Sequence, residues 1–430
     1  MRLTLHDGGQ TRTVSMPWAR LLGVLDVAPH PALPNVADAL ETALANPDDM
    51  PPRWERRFQP GDSVVIVVSD NSRATGLSGY CAALVDWLQR RGIAEERLSF
   101  VVATGVHRPA TAAEKAAILG TTVYERFKRR VHNHDAQDAA NLVHVGTTRR
   151  GTPVRLNRLA CECDHLILTG AVTPHYFAGF GGGRKAFVPG LAAAETIARN
   201  HVRSLHPAEP RLDPHVRICV LDGNPVAEDL LEAAQLHPPA FIVNTVLNGE
   251  GAVAGIFAGA LDAAHRNACA FARRLYCVPI AGQADLVIAA ASDTTNFIQC
   301  HKALFNAYAA LKPGGRIVLI APAREGLGGD GFRRYLQLGD PEAIVAALRQ
   351  HPDINGQTAL STLQKGGVTT LVTEMDETDV ALCGATKAAS LEDALDQARC
   401  YFQERGISTP TCYYMPNASA TVPLCDKAMS

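Results

Sequence analysis

The stretch "SVVIVVSDNSRATG", residues 63–76, decides the fold. Its first seven residues are short in span, apolar and mostly β-branched. A run without polar alternation suits a strand covered on both faces, as in a parallel sheet. The "DNSRATG" that follows is a cluster of turn formers and ends the strand. Three more segments read the same way: "LSFVVAT" (98–104), "HLILTGA" (165–171) and "DLVIAAAS" (285–292). A fifth, "GRIVLIAPA" (315–323), follows the turn "KPGG". Helical stretches alternate with them. "GYCAALVDWLQRRG" comes after the first strand and "TAAEKAAILG" after the second, where Thr111 and Glu114 have capping-box spacing. This alternation predicts an α/β protein with mainly parallel sheets and flanking helices.

A chain of 430 residues is too long for one ordinary core and predicts two such domains, with the active site in the cleft between them. The boundary is expected near 270–282, giving an N-terminal domain over 1–275 and a C-terminal domain over 276–404. The irregular last stretch, 405–430, is expected to return to the first domain. The net charge of −2 argues against a nucleic-acid or membrane-surface partner. No apolar run is long enough to span a bilayer, and "MRLTLHDGGQ" lacks the apolar core of a secretion signal, so a cytoplasmic location is expected. The eleven cysteines are scattered without zinc-knuckle spacing; "CEC" (Cys161, Cys163) is their nearest approach, and reduced thiols are expected.

In open parallel sheets, ligands sit outside the carboxyl ends of the strands. Reactive side chains follow each strand here. Asp70 and Arg73 follow the first, His107 and Arg108 the second, "VTPHYFAGFGGGRK" with His175 and Lys185 the third, and Gln299 and Lys302 the fourth. Arg73 has the bidentate geometry suited to a carboxylate or phosphate. Gln299 and Lys302, three apart, share a helical face. Gly181, Gly182 and Gly183 could let backbone N–H groups approach an anion, with Arg184 and Lys185 supplying charge; a plain tight turn fits the glycines equally well. The loop lacks the Ser or Thr of a Walker loop and the spacing of a dinucleotide fingerprint. "LAAAETIARNHVRSL" reads as a helix whose inward stripe is Ala194, Ile197, Ala198, His201 and Leu205, with Arg199, Asn200 and Arg203 pointing elsewhere. His132 and His134, in "HNHD", read as surface or supporting groups.

Together these motifs resemble the nickel-dependent lactate racemase family, whose enzymes use a nickel-pincer nucleotide. The likeness extends over essentially the whole chain, through "VVIVVSDNSRATG", "VVATGVHRP", "TPHYFAGFGGGRK", "ETIARNH", "NFIQCHKA" and "REGLGGDGF". The resemblance implies a cofactor, Ni(II) pyridinium-3,5-bisthiocarboxylic acid mononucleotide, that can be joined to Lys185 through a thioamide. It implies that His201 ligates nickel and that His107 and His175 are acid/base groups. It implies that Asp70, Arg73, Gln299 and Lys302 hold cofactor or substrate, and that the glycine loop binds the cofactor's phosphate. Implied partners are a small 2-hydroxy acid and cofactor-biosynthesis proteins. The sequence departs from the family's lactate enzymes at Ser72 and Ala74, where Thr and Pro are usual, and at Ile298, where an aromatic residue is expected. These positions line the expected place of the substrate's side chain, so malate, phenyllactate, short aliphatic acids and sugar acids stand beside lactate as substrates.

Racemising such an acid by removing its α-proton would place a carbanion beside a carboxylate. Moving the hydrogen as hydride avoids that species but requires a hydride acceptor and a base for the hydroxyl proton. Two histidines would then serve the two enantiomers. Outside this resemblance, two readings compete: an α/β enzyme using NAD or S-adenosylmethionine, and a non-catalytic binder of the nickel cofactor. Histidines with no role in storage weigh against the second.

Overall fold

The computed structural model describes residues 2–7, 10–291 and 294–425. They form two compact units. One comprises Pro29–Ser204 and Pro214–Leu275; the other gathers the described parts of Met1–Ala28, Leu205–Asp213 and Tyr276–Ser430.

The first unit is built on a six-stranded sheet. Across the sheet the order is Val253–Gly259, Phe241–Leu247, His165–Ala171, Val64–Ser69, Leu98–Ala103 and Val131–Asn133. All neighbours run parallel except the Val253–Gly259 edge strand, which is antiparallel. The apolar run expected to be a buried strand is one: Val64 to Val68 are all buried, because helices cover both faces of a parallel sheet. Each such side chain removed from water contributes about 1.5–3 kcal/mol. On one face Trp54 and Trp87 stack at 5.3 Å, and Phe58 and Phe241 pack edge-on against them. The expected capping box is present: Thr111 caps the Ala112–Leu119 helix and Glu114 bonds back to it.

The second unit has its own six-stranded sheet, parallel throughout. Its order is Thr386–Ala388, Thr369–Val372, Leu311–Ile320, Ala284–Ala290, Thr411–Met415 and Arg20–Val24. Three expectations are corrected here. Residues 405–425 belong to this unit and not to the first, because Thr411–Met415 pairs with Ala284–Ala290; residues 426–430 lie outside the described part. Residues 20–24, expected in the N-terminal domain, form the edge strand beside Thr411–Met415. "KPGG" is no free turn: it lies inside the Leu311–Ile320 strand, where pairing jumps from Ala284↔Leu311 to Leu286↔Arg316 and Gly314 takes φ +76°. Ser292, placed in a strand by its sequence, and Asp293 lie outside the described residues.

No described helix is long and apolar enough to cross a membrane, and all eleven cysteines are free thiols.

Candidate active site

The strands His165–Ala171, Val64–Ser69 and Leu98–Ala103 are parallel neighbours, so the loops leaving their carboxyl ends lie along one edge of the sheet. Asp70 leaves the middle strand and is almost fully buried. It caps no helix. Its Oδ1 accepts from the Ser72 N–H at 3.1 Å and hydroxyl at 2.6 Å, and its Oδ2 lies 2.7 Å from Nδ1 of His107. Burial alone would raise this carboxyl's pKa; the hydrogen bonds from His107 and Ser72 outweigh it and hold Asp70 below its usual value. An ionised carboxylate can only accept, so Nδ1 of His107 carries the proton and Nε2 the lone pair. His107 is half-exposed. Its loop is tied to the segment behind the glycine loop by the Gly105 N–H, which donates to Gly190 O at 3.1 Å. The neighbouring Arg108 is bound by both nitrogens to Glu114 (2.6 and 2.8 Å), and Asn71 donates to the same carboxylate at 2.8 Å. Arg73 is exposed.

His175 sits in a two-residue hairpin strand, Pro174–His175, paired with Gly179–Phe180. Its Nδ1 accepts from two backbone N–H groups, Phe177 at 3.2 Å and Ala178 at 3.1 Å, and its ring stacks on Tyr176.

Of the two readings the glycine loop allowed, the tight turn accounts for most of its backbone contacts. The Gly181 N–H donates to Thr173 O and the Gly183 N–H to Asn244 Oδ1, both at 2.8 Å, so two of the three amides already have partners within the protein. Gly182 and Gly183 have φ of +67° and +48°, and a Cβ would lie 2.6 Å from Asn244 Oδ1 or 2.5 Å from the His265 ring. Close approach to the protein's own groups demands these glycines. Arg184 also has partners within the protein. Its guanidinium is buried, bonded to Asp262 Oδ1 at 2.7 Å and to Ala227 O at 3.2 Å, so its charge is met inside the protein. His265 Nε2 bonds Gly181 O at 2.8 Å beneath the loop; burial, then Arg184, push its pKa down to about 3. The loop is thus a rigid shelf that delivers Lys185, which is half-buried. Gly183→Ala should cost about 2 kcal/mol or more in denaturant titrations, from the positive φ together with overpacking on His265.

The predicted helix is Ala194–Val202. Ile197 and His201 are buried as expected, but so is Asn200, which the helical spacing points outward. Its Nδ2 donates to Asp229 Oδ2 at 2.9 Å. Asp229, on the Pro225–Gln235 helix, also accepts from Thr148 at 2.6 Å and Thr152 at 2.9 Å. This fully buried carboxylate fixes the face of the helix that carries His201. Nδ1 of His201 donates to Ile197 O at 2.7 Å, one turn back, which leaves the lone pair on Nε2. Burial, then the nearby Lys185 charge, lower its pKa to about 4, so the ring is neutral near pH 7.

Gln299 and Lys302 belong to the other unit. Both are exposed on the Phe297–Ala309 helix after the Ala284–Ala290 strand, opposite the buried Cys300, His301 and Leu304.

Sequence reasoning missed Asp229, Asn244 and His265, and left His134 as a surface or supporting group. His134 is buried; its Nε2 bonds Ala192 O at 3.0 Å, and its own carbonyl accepts from Thr104 at 2.6 Å. A polar residue inside an apolar run, as in "FIVNTVL", is the one signal that marks Asn244.

Residues 8–212 match the family described as the lactate racemase N-terminal domain. A lactate racemase of Thermoanaerobacterium thermosaccharolyticum is 32% identical over 312 residues, 72% of this chain and 71% of that protein. A lactate racemase of Lactiplantibacillus plantarum is 33% identical over 313 residues, with the same shares covered. The solved lactate racemase apoprotein from T. thermosaccharolyticum superposes with a TM-score of 0.86 at 26% identity, covering 99% of this chain and 100% of that one. A Thermotoga maritima protein shares the fold, with a TM-score of 0.63 at 18% identity over 86% of this chain and 95% of that one. These relatives define an isomerase of the racemase class. The chain belongs to the lactate racemase family.

Proposed function

We propose that the protein racemises or 2-epimerises a 2-hydroxy acid with the nickel-pincer nucleotide as cofactor. The observation that carries this reading is the state of His201. It is a buried, neutral imidazole whose Nδ1–H is committed to Ile197, leaving Nε2 as a donor beside Lys185. A neutral imidazole with a fixed tautomer fits nickel(II). Among the described residues no group of three or more His, Cys, Asp or Glu could hold a metal ion, so in this reading the remaining ligands come with the cofactor. His201 and Lys185 are the residues that would hold it, Lys185 by a thioamide. When bound, the cofactor supplies a hydride acceptor, which spares the substrate a carbanion beside its carboxylate.

The chain's own residues do the rest. His107, oriented by Asp70, presents Nε2 to a hydroxyl proton. His175 is the second imidazole facing the substrate. Arg73, Gln299 and Lys302 are exposed side chains suited to a carboxylate and to the substrate's other polar groups. Ser72 and Ala74, on the loop between Asp70 and the following turn, bear on which hydroxy acid is taken. Proteins that make the cofactor are the implied partners, and the reading requires neither nucleic acid nor membrane.

The test is co-expression with cofactor-making proteins and a racemisation screen over D- and L-2-hydroxy acids. About one nickel per chain, an intact mass raised by the cofactor and inversion of at least one acid are expected. Full activity in a nickel-free preparation would end the reading.

A further inference from the structure

The carboxylate of Glu114 accepts four hydrogen bonds from three residues. Its Oε1 takes Asn71 Nδ2 at 2.8 Å and Arg108 Nη2 at 2.6 Å. Its Oε2 takes Arg108 Nη1 and the Thr111 N–H, both at 2.8 Å. The Arg108 bonds above all hold this carboxyl's pKa down to about 2, so it is ionised near neutral pH. An ion pair on an open surface ordinarily contributes little. Here the carboxylate has a fixed base, because Glu114 is the third residue of the Ala112–Leu119 helix and the capping box with Thr111 sets its direction. Its outer partners, Asn71 and Arg108, immediately follow Asp70 and His107 on loops that leave adjacent parallel strands. One carboxylate thus ties together the two loops whose side chains meet at 2.7 Å, Asp70 Oδ2 to His107 Nδ1.

We propose that Glu114 is a positioning residue for His107: by clasping Asn71 and Arg108 it holds the two loops at the separation where Asp70 fixes the tautomer and direction of the imidazole. The catalytic consequence rests on the racemase reading above; the clasp itself does not. Without Glu114 each loop keeps its own anchors. Asp70 keeps Ser72, and Asn133 still holds Ala110 by bonds of 3.2 and 3.1 Å. What is lost is the tie between the loops, and a reacting group displaced by about 1 Å costs about 10²-fold in rate. A ring released from Asp70 is also no longer confined to the Nδ1–H form, since the hydrogen bond at one nitrogen decides which of the two carries the proton.

Two measurements test this, with Thr111→Ala as the control. That variant removes the cap hydroxyl and leaves all four bonds of the clasp. In long-range nitrogen–proton NMR of the cofactor-free chain at pH 7.5, labelled at its fifteen histidines and assigned with His107→Gln, His107 should show one form, protonated at Nδ1, in the unaltered chain and in Thr111→Ala. Glu114→Ala should give a mixture of the two tautomers. In the loaded enzyme Glu114→Ala should lower kcat about 10²-fold in both directions and move KM less than about threefold, while Thr111→Ala keeps kcat within about twofold. If Glu114→Ala does not fold, Asn71→Ala, which opens one arm of the clasp, takes its place with smaller shifts of the same kind. A single Nδ1–H form persisting in the clasp variant, or equal kcat losses in it and in Thr111→Ala, overturns the proposal. The NMR result needs no turnover, so a chain that racemises nothing would overturn the function while the clasp is still decided by the tautomers.

Discussion

His201→Ala is expected to strip nickel from the holoprotein and to lower racemisation by more than about 10³-fold, since even supporting residues of metal ligands are worth 10–100-fold. Nickel should fall from about one per chain to background, with the thermal midpoint moved by only a few degrees. A variant that keeps its metal would remove His201 from the site. The pH dependence follows from the same ring. Its folded pKa, about 4, lies below the ordinary histidine value because of burial and then the Lys185 charge. Protons therefore compete for Nε2 only near pH 4, and nickel retention at pH 5.5 should equal that at pH 7.5. The sign for folding is the usual one for a buried neutral histidine. Stability is fully present above about pH 6.5 and is lost as the pH falls toward 4, where the unfolded chain binds the extra proton.

Asp229→Ala is expected to cost about 3–5 kcal/mol in chemical denaturation, because it strands buried donors on Thr148, Thr152 and Asn200 at once. Asp229→Asn keeps the shape and one acceptor and should cost about half as much. The loss should be felt at the site as well. Asn200 and His201 are consecutive on one helix, so releasing Asn200 lets the Nε2 donor wander and weakens cofactor retention. A penalty below about 1 kcal/mol for the alanine variant would show that the helix is held by packing alone.

Five of the twelve strands in the two six-stranded sheets, and the rim that follows the central ones, were legible because their signals are local. A buried parallel strand writes itself as an unbroken apolar run, and the residue after it falls on the ligand-binding edge whatever the distant partners are. Asp70, His107 and His175 could be placed that way. The roles of individual polar atoms were not legible. Arg184 beside three glycines looks like a charge for an anion until Asp262, far along the chain, is seen to take it. Asn200 sits at the margin of the apolar stripe and turns inward only because Asp229 awaits it. The glycines of Gly181–Gly183 were ambiguous for a related reason: the same permissive backbone serves a ligand or a crowded neighbour, and His265 and Asn244 are neighbours here. The tail falls in the other unit because pairing between strands over a hundred residues apart, Ala284–Ala290 and Thr411–Met415, leaves no trace in spacing.

That long-range pairing bears on how the molecule is made. The Arg20–Val24 strand has a single neighbour in its sheet, Thr411–Met415. At ribosomal speeds the interval between their syntheses is roughly 20–80 s. Through that time an early-emerging segment with Leu22 and Val24 waits without its backbone mate, so the C-terminal sheet closes only after translation is nearly done.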